Sequence, residues 1–137
     1  LENTHLMGRW QVLCEKPLTV SEVAHNEEGI VFLSKKIETL IFHKLHIVIG
    51  MVNDKDHSQV LSLLPKEAEY YFVQADIPRA LPKEELQAKA SNFMLKGNCY
   101  PNVHSGLKAA QQNSTENDLI IVTGSIFTVA EILPEED

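Results

Sequence analysis

Residues Leu45 to Gly50 read L-H-I-V-I-G, a nearly continuous apolar run with a β-branched centre. A strand with one wet face alternates, whereas an unbroken apolar strand is buried on both faces, as in parallel sheets covered by helices on either side. That one segment commits the chain to an α/β architecture. A second segment says where its open edge lies. In V-S-E-V-A-H-N-E-E-G, Val20 to Gly29, a strand through Leu18, Thr19 and Val20 gives way to apolar residues Ile30, Leu33, Ile37, Leu40 and Ile41 at helical spacing. The helix is expected to run to about Phe42. Asn26 suits its N-cap, and Glu27 and Glu28 suit the positive first turn. Glu22 to Asn26 then lie at a strand's carboxyl end, where open α/β sheets bind ligands. The pattern leaves the Glu22 carboxylate and the His25 imidazole exposed there, three residues apart.

The remaining segments fit the same plan. Trp10 to Cys14 and Leu18 to Val20 form a hairpin around Glu15-Lys16-Pro17. Val60, Leu61 and Leu64 give a short helix stopped by Pro65, and Glu69 to Gln74 a third central strand. Pro82 opens a helix with Leu86, Ala90 and Phe93 on its apolar face, which Gly97 stops. Asn98 to Tyr100 is an edge strand, and Val103, Leu107 and Ala110 mark another helix. Leu119 to Thr123 is a strand ended by Gly124, and Ser125 opens a last helix containing Ile126, Val129, Ala130 and Leu133. Strands and helices alternate without repeats or an internal linker. The expected fold is one three-layer α/β/α domain over residues 1–137, with about six strands, mostly parallel after an initial hairpin.

Charge and motifs narrow the chemistry. A formal net charge of −7, with 12 dispersed Lys and Arg, argues against a nucleic-acid surface. No apolar run is long enough to span a bilayer. Cys14 and Cys99, far apart and outside any metal-ligand spacing, read as two reduced thiols of a cytoplasmic protein. The chain begins with Leu1 and a polar stretch, the reading being a fragment of a longer protein. Neither G-x-G-x-x-G nor G-x-x-x-x-G-K-[ST] occurs, so independent ATP hydrolysis or dinucleotide redox chemistry is not expected.

Individual candidates carry two readings each. Ser125 after Gly124 is a helix cap, or it aims its hydroxyl and its helix's amides at an anion. His25 is a surface or capping side chain, or a ligand contact. Asp54 and Asp56 around Lys55 form a capped turn, or part of a site. His43 and His46 make an H-x-x-H, but on a strand the two side chains point to opposite faces, so no metal site is expected.

Taken in order, Gly8-Arg9-Trp10, A-H-N at Ala24 to Asn26, G-M-V-N-D-K-D at Gly50 to Asp56 and V-T-G-S at Val122 to Ser125 closely resemble the C-terminal domain of folylpolyglutamate synthase/dihydrofolate synthase, in the Mur ligase superfamily. The resemblance covers about Leu6 to Leu133. It implies an ATP-dependent amide ligase that activates a folate or dihydropteroate carboxylate as an acyl phosphate, which the amino group of L-glutamate then attacks. The phosphate loop, most of the folate pocket and most contacts to Mg2+ would belong to a preceding ATPase domain, this chain's partner. The chain itself would carry no catalytic residue and be inactive alone. In the nucleotide contacts the resemblance implies, Arg9 meets the phosphates, Glu22 the ribose and His25 the nucleotide from the head of the first helix. The family has aspartate where this chain has Glu22, one methylene longer. Asn26, Lys55, Asp56 and Ser125 would serve the substrate side or the domain interface. Two alternatives stand beside this reading: the C-terminal domain of a peptidoglycan Mur ligase, and a non-catalytic α/β protein-interaction module.

Overall fold

The computed structural model describes residues 10–53 and 56–133. Their elements run β1 (Gln11–Glu15), β2 (Leu18–Val23), α1 (Glu27–Glu38), β3 (Leu45–Gly50), α2 (Ser58–Leu63), β4 (Glu69–Phe72), α3 (Lys83–Ser91), β5 (Gly97–Cys99), α4 (Val103–Gln112), β6 (Leu119–Gly124) and α5 (Ile126–Ala130). They build one sheet in the order β1-β2-β6-β3-β4-β5, in which β1 is antiparallel to β2 and all other pairings are parallel. The three-layer α/β fold with its opening hairpin is therefore as the sequence indicates. The hairpin turns through a cis Lys16–Pro17 bond.

Every residue of β3 and of β6 is buried. Ile47 and Ile49 of β3, with Tyr70, Phe72 and Ile121, pack against Ile30, Leu33 and Ile37 of α1, Val60 and Leu61 of α2, and Leu86 and Ala90 of α3. On the opposite face Val48, Tyr71, Ile120 and Val122 meet Val103 and Ala110 of α4, with Ile132 beyond α5 joining them. Each large aliphatic side chain so buried contributes about 1.5–3 kcal/mol. The core is thus split by the sheet into two slabs, and its unbroken apolar strands are a direct consequence.

Topology places β6 between β2 and β3 although it comes last. The chain moves outward from β2 over α1 to β3, β4 and β5 on one face, then returns under the sheet by α4 to fill the gap. At the carboxyl ends the three strands finish level, Val23 opposite Gly124 and Gly124 opposite Gly50. Gly124 has φ +113°, and a Cβ there would overlap the Gly50 carbonyl oxygen. Only glycine permits both the conformation and the approach.

Three expectations are corrected. The first helix ends at Glu38, not near Phe42. Thr39 caps it, donating from its hydroxyl to the Lys36 carbonyl (2.6 Å), and the His43 N–H then reaches the Asn117 carbonyl (2.9 Å), which pulls the chain away from the helix axis. Ile41, which continues the helical spacing, is fully exposed as a result. Gly97 does not stop α3, which ends at Ser91 with Asn92 as C-cap. It begins β5 instead, where a Cβ would overlap the Tyr70 backbone. The third correction concerns His43 and His46. His43 precedes β3, so strand alternation does not govern it, and both imidazoles reach Asp118: His46 Nε2 at 2.8 Å from Oδ2 and His43 Nδ1 at 3.6 Å from Oδ1.

Around His46 the buried polar groups are mutually satisfied. Asn113 Nδ2 donates to Tyr71 Oη (3.3 Å), which leaves the phenol to donate to His46 Nδ1 (2.9 Å) and His46 Nε2–H to donate to Asp118. Burial pushes the Tyr71 phenol up to about 12, so it keeps its proton. Cys14 and Cys99 are free thiols on β1 and β5, the two outer strands of the six, about 24 Å apart at the usual strand spacing and far beyond disulfide reach.

Gly124→Ala is expected to cost roughly 3 kcal/mol or more, read as a loss of denaturant stability, because it adds backbone strain and a carbonyl overlap together. Acid stability should report on Asp118. Burial raises its carboxyl pKa, but hydrogen bonds from His46 and Thr115 outweigh that and hold it below the ordinary 3.8. A depressed folded-state value stabilises at pH above the unfolded value and loses that contribution as pH falls through the folded one. Unfolding free energy measured below pH 3.8 should therefore fall more steeply for the native chain than for Asp118→Asn, and equal slopes would refute this assignment.

Candidate functional site

The level ends of β2, β6 and β3 are knitted together by two backbone bonds: Ala24 N–H donates to the Gly124 carbonyl and Ser125 N–H to the Gly50 carbonyl, each at 3.0 Å. Inside that edge the Thr123 hydroxyl donates to the Glu22 carbonyl (2.6 Å). From this platform the chains part. After β2 and β3 they pass to α1 and α2 on one face, and after β6 the chain passes to α5, with Ile132 in the opposite slab. Neighbouring strands with connections to opposite faces open a crevice at the carboxyl edge, the usual ligand position in such sheets.

His25 and Asn26 stand at this edge and are exposed. Asn26 is the N-cap of α1, its backbone extended at φ −138° and its side-chain oxygen accepting from Gly29 N–H (2.8 Å). Glu27 and Glu28 occupy the first turn as local chemistry favours. His25 is set directly between the buried Ala24 and that cap, so both sides of its backbone are anchored while its ring faces solvent.

Glu22 is not the exposed strand-end acid that the pattern indicated. It lies within β2 opposite Thr123 and is 1% exposed. One further parallel pairing, Val23 with Gly124, carries the sheet on beyond it, which is why its side chain sits inside the layer.

Ser125 takes the capping role. It is buried, its hydroxyl accepts from Thr128 N–H (3.1 Å) and lies 3.1 Å from Thr128 Oγ1, and its own N–H is spent on Gly50. Asp56 also caps, its Oδ1 accepting from Ser58 N–H (3.0 Å) and Ser58 Oγ–H (2.8 Å) at the start of α2. Those bonds hold its carboxyl below the ordinary range. Arg9, Asp54 and Lys55 lie outside the described residues.

One residue of this edge escaped the sequence reading. His57 is buried, and its Nε2–H donates to the Val52 carbonyl (2.8 Å), closing the segment after β3 upon itself. That segment is also stitched to residues 79–81: Asn53 N–H to the Arg79 carbonyl (2.6 Å), Leu81 N–H to the Met51 carbonyl (2.9 Å), and a Val52–Ala80 bridge. Only its position beside Asp56 could have drawn attention to His57.

Comparison with known proteins gives a consistent result. The profile of the family described as Mur ligase, glutamate ligase domain, matches residues 8–126. A dihydrofolate synthase/folylpolyglutamate synthase from Buchnera aphidicola subsp. Schizaphis graminum is 30% identical over 139 residues, covering 100% of this chain and 33% of that protein. A probable bifunctional folylpolyglutamate synthase/dihydropteroate synthase of Haloferax volcanii is 31% identical over 96% of this chain and 16% of its own length. Among solved structures, E. coli FolC in complex with ADP superposes with a TM-score of 0.82 at 28% identity, over 91% of this chain and 30% of that one. The Yersinia pestis bifunctional folylpolyglutamate synthase/dihydrofolate synthase complexed with AMPPNP and Mn ion gives 0.80 at 29%, over 91% and 30%. The chain thus spans a third or less of the length of these relatives.

Asn26→Ala removes the α1 cap without touching the core. The expected cost is about 1 kcal/mol of stability, with Asn26→Gly losing only a few tenths, measured by chemical denaturation.

Proposed function

This chain belongs to the Mur ligase family as its glutamate ligase domain, and from that premise we propose that it is the C-terminal lid of an ATP-dependent ligase that joins L-glutamate to folate or dihydropteroate through an acyl phosphate. The observation that carries the reading is spatial: three of the four resembling motifs, A-H-N after β2, G-M-V-N after β3 and T-G-S at the end of β6, fall on one level edge of the sheet. Relatives named as dihydrofolate and folylpolyglutamate synthases support the folate branch over the peptidoglycan one.

In this mechanism the edge faces a preceding ATPase domain. Acyl phosphates hydrolyse readily, so the reaction needs a site from which water is excluded once ATP, the pterin substrate and glutamate have met, and a rigid domain closing over them provides it. Arg9 meets the phosphates, where a fixed cation is worth most as charge develops. His25, held rigidly between the end of β2 and the α1 cap, contacts the nucleotide directly. Glu22, buried within β2, sits behind the contact surface, so the ribose contact the resemblance implies is replaced by a positioning role beside the strand end that carries His25. Asn26, Lys55, Asp56 and Ser125 shape the substrate side or the domain interface, Asn26, Asp56 and Ser125 through the caps they form.

The donor set bears on the divalent cation. Among the described residues no group of three or more His, Cys, Asp or Glu is arranged to hold a metal ion. The resemblance to the ligases assigns Mg2+ mainly to the preceding ATPase domain.

ADP release with dihydropteroate or a reduced folate plus L-glutamate, followed on this chain and on the full-length gene product side by side, tests the proposal. Activity confined to the full-length protein is expected. In that protein His25→Ala and Arg9→Ala should each lower kcat/KM for ATP roughly ten- to hundredfold, the equivalent of about 1.5–3 kcal/mol for a hydrogen bond to a charged group, with folding intact. Unchanged ATP kinetics in both variants would overturn the nucleotide assignment. No ligation by a folded full-length protein would favour the interaction-module alternative.

A further inference from the structure

Because α1 ends at Glu38, residues 39–44 form a separate wall at the amino end of the sheet. Two backbone bonds clamp that wall to the turn before β6: His43 N–H donates to the Asn117 carbonyl and Leu119 N–H to the Lys44 carbonyl, each at 2.9 Å. The β1–β2 hairpin closes a third side with Glu15 and Leu18, which pair across it. Between the three segments lies a cavity of about 370 Å³. Small-molecule sites typically run from about 300 to 1,000 Å³ and are largely formed before the ligand arrives.

The cavity walls are apolar and continuous with the core. Leu18, Leu40 and Phe42 pack half-buried against the α1 slab, and Leu119 lies within it. Ile41 lines the same opening with its whole side chain in water, so an occupant covering it removes apolar area from solvent. Charge on these walls has one sign. Glu15 and Glu116 are exposed at the rim, and the buried Asp118 carboxylate lies behind them. His43, 3.6 Å from Asp118, is the one basic side chain among the described lining residues, and Lys44 next to it is paired with Glu69 (3.2 Å). The net charge of −7 adds the same sign at longer range.

An anion is repelled from such a cavity. A metal ion finds apolar walls and, among the described residues, no group of three ligands arranged to hold it. A neutral apolar molecule leaves the carboxylates unanswered. We propose that the cavity at the amino end of the sheet binds a small organic amine with an apolar body, the body covering Leu40, Ile41 and Phe42 and the ammonium meeting the carboxylates of Glu15 and Glu116. Charge-assisted hydrogen bonds then fix one end of the ligand while apolar contact holds the other. The cavity lies a full strand from the edge that carries His25, about 17 Å along the six residues of β6. Its existence does not depend on the ligase reading.

An NMR titration of the isotope-labelled 137-residue chain with phenethylamine, without ATP or folate, tests the site independently of the ligase assay. Saturable shifts of the His43, Asn117 and Leu119 amides are expected. Methylamine keeps the charge without the body, whereas phenethyl alcohol and hydrocinnamate keep the body without the positive charge. Each of the three should bind at least about tenfold more weakly. Glu15→Gln combined with Glu116→Gln, both at exposed positions, should weaken phenethylamine by roughly tenfold and leave phenethyl alcohol unaffected, while dispersed spectra show the fold retained. Absence of saturable shifts, shifts centred elsewhere, any of the three control compounds binding as tightly as phenethylamine, or a double variant that binds it as the native chain does would each overturn the proposal.

Discussion

The insertion of β6 between β2 and β3 is the constraint on which the rest of this structure depends. It requires three parallel strands to end level, and it requires the backbones at Gly50 and Gly124 to approach more closely than any side chain allows. Once met, it supplies the bonds from Ala24 and Ser125 that join three otherwise separate strand ends into one rigid edge. His25, the α1 cap and the α5 cap all hang from that edge. Loss of the close approach would therefore displace several elements at once.

Polar groups are divided between the two ends of the sheet in a way that separates stability from the proposed nucleotide contacts. At the amino end His46, Tyr71, Asn113, Thr115 and Asp118 satisfy one another in and around a buried cluster, tying β3, β4 and the entry to β6 together. Such a cluster is costly if any member is missing and specifies one arrangement when complete. At the carboxyl end the caps satisfy backbone donors while His25 and Asp76 remain exposed. Rigid supports with solvent-facing side chains are what a binding edge requires.

On the proposed ligase reading, a domain built this way suits closure over a reaction assembled elsewhere. Its strands and caps hold the edge in one geometry, so closing and opening need involve only rigid movement against a partner, and little ordering cost falls on the contacts themselves.

The fold was legible because burial on both faces leaves an unmistakable mark: Leu45 to Gly50 and Leu119 to Thr123 have no polar side to offer water, apart from residues satisfied within the layer. The caps at Asn26 and Ser125 were legible too, since capping is a local matter between a side chain and amides three residues on. Periodicity failed where distant partners decide. Ile41 has helical spacing, yet the His43–Asn117 bond ends the helix early. His43 and His46 meet at Asp118, 72 residues beyond the second of them. Glu22 is buried because a strand nearly a hundred residues later extends past it. By itself, then, the sequence determined which segments are strands, helices and caps, since those depend on neighbours along the chain. The tertiary structure alone decided which polar groups face water and which face each other, because that depends on the order in which the strands are laid side by side.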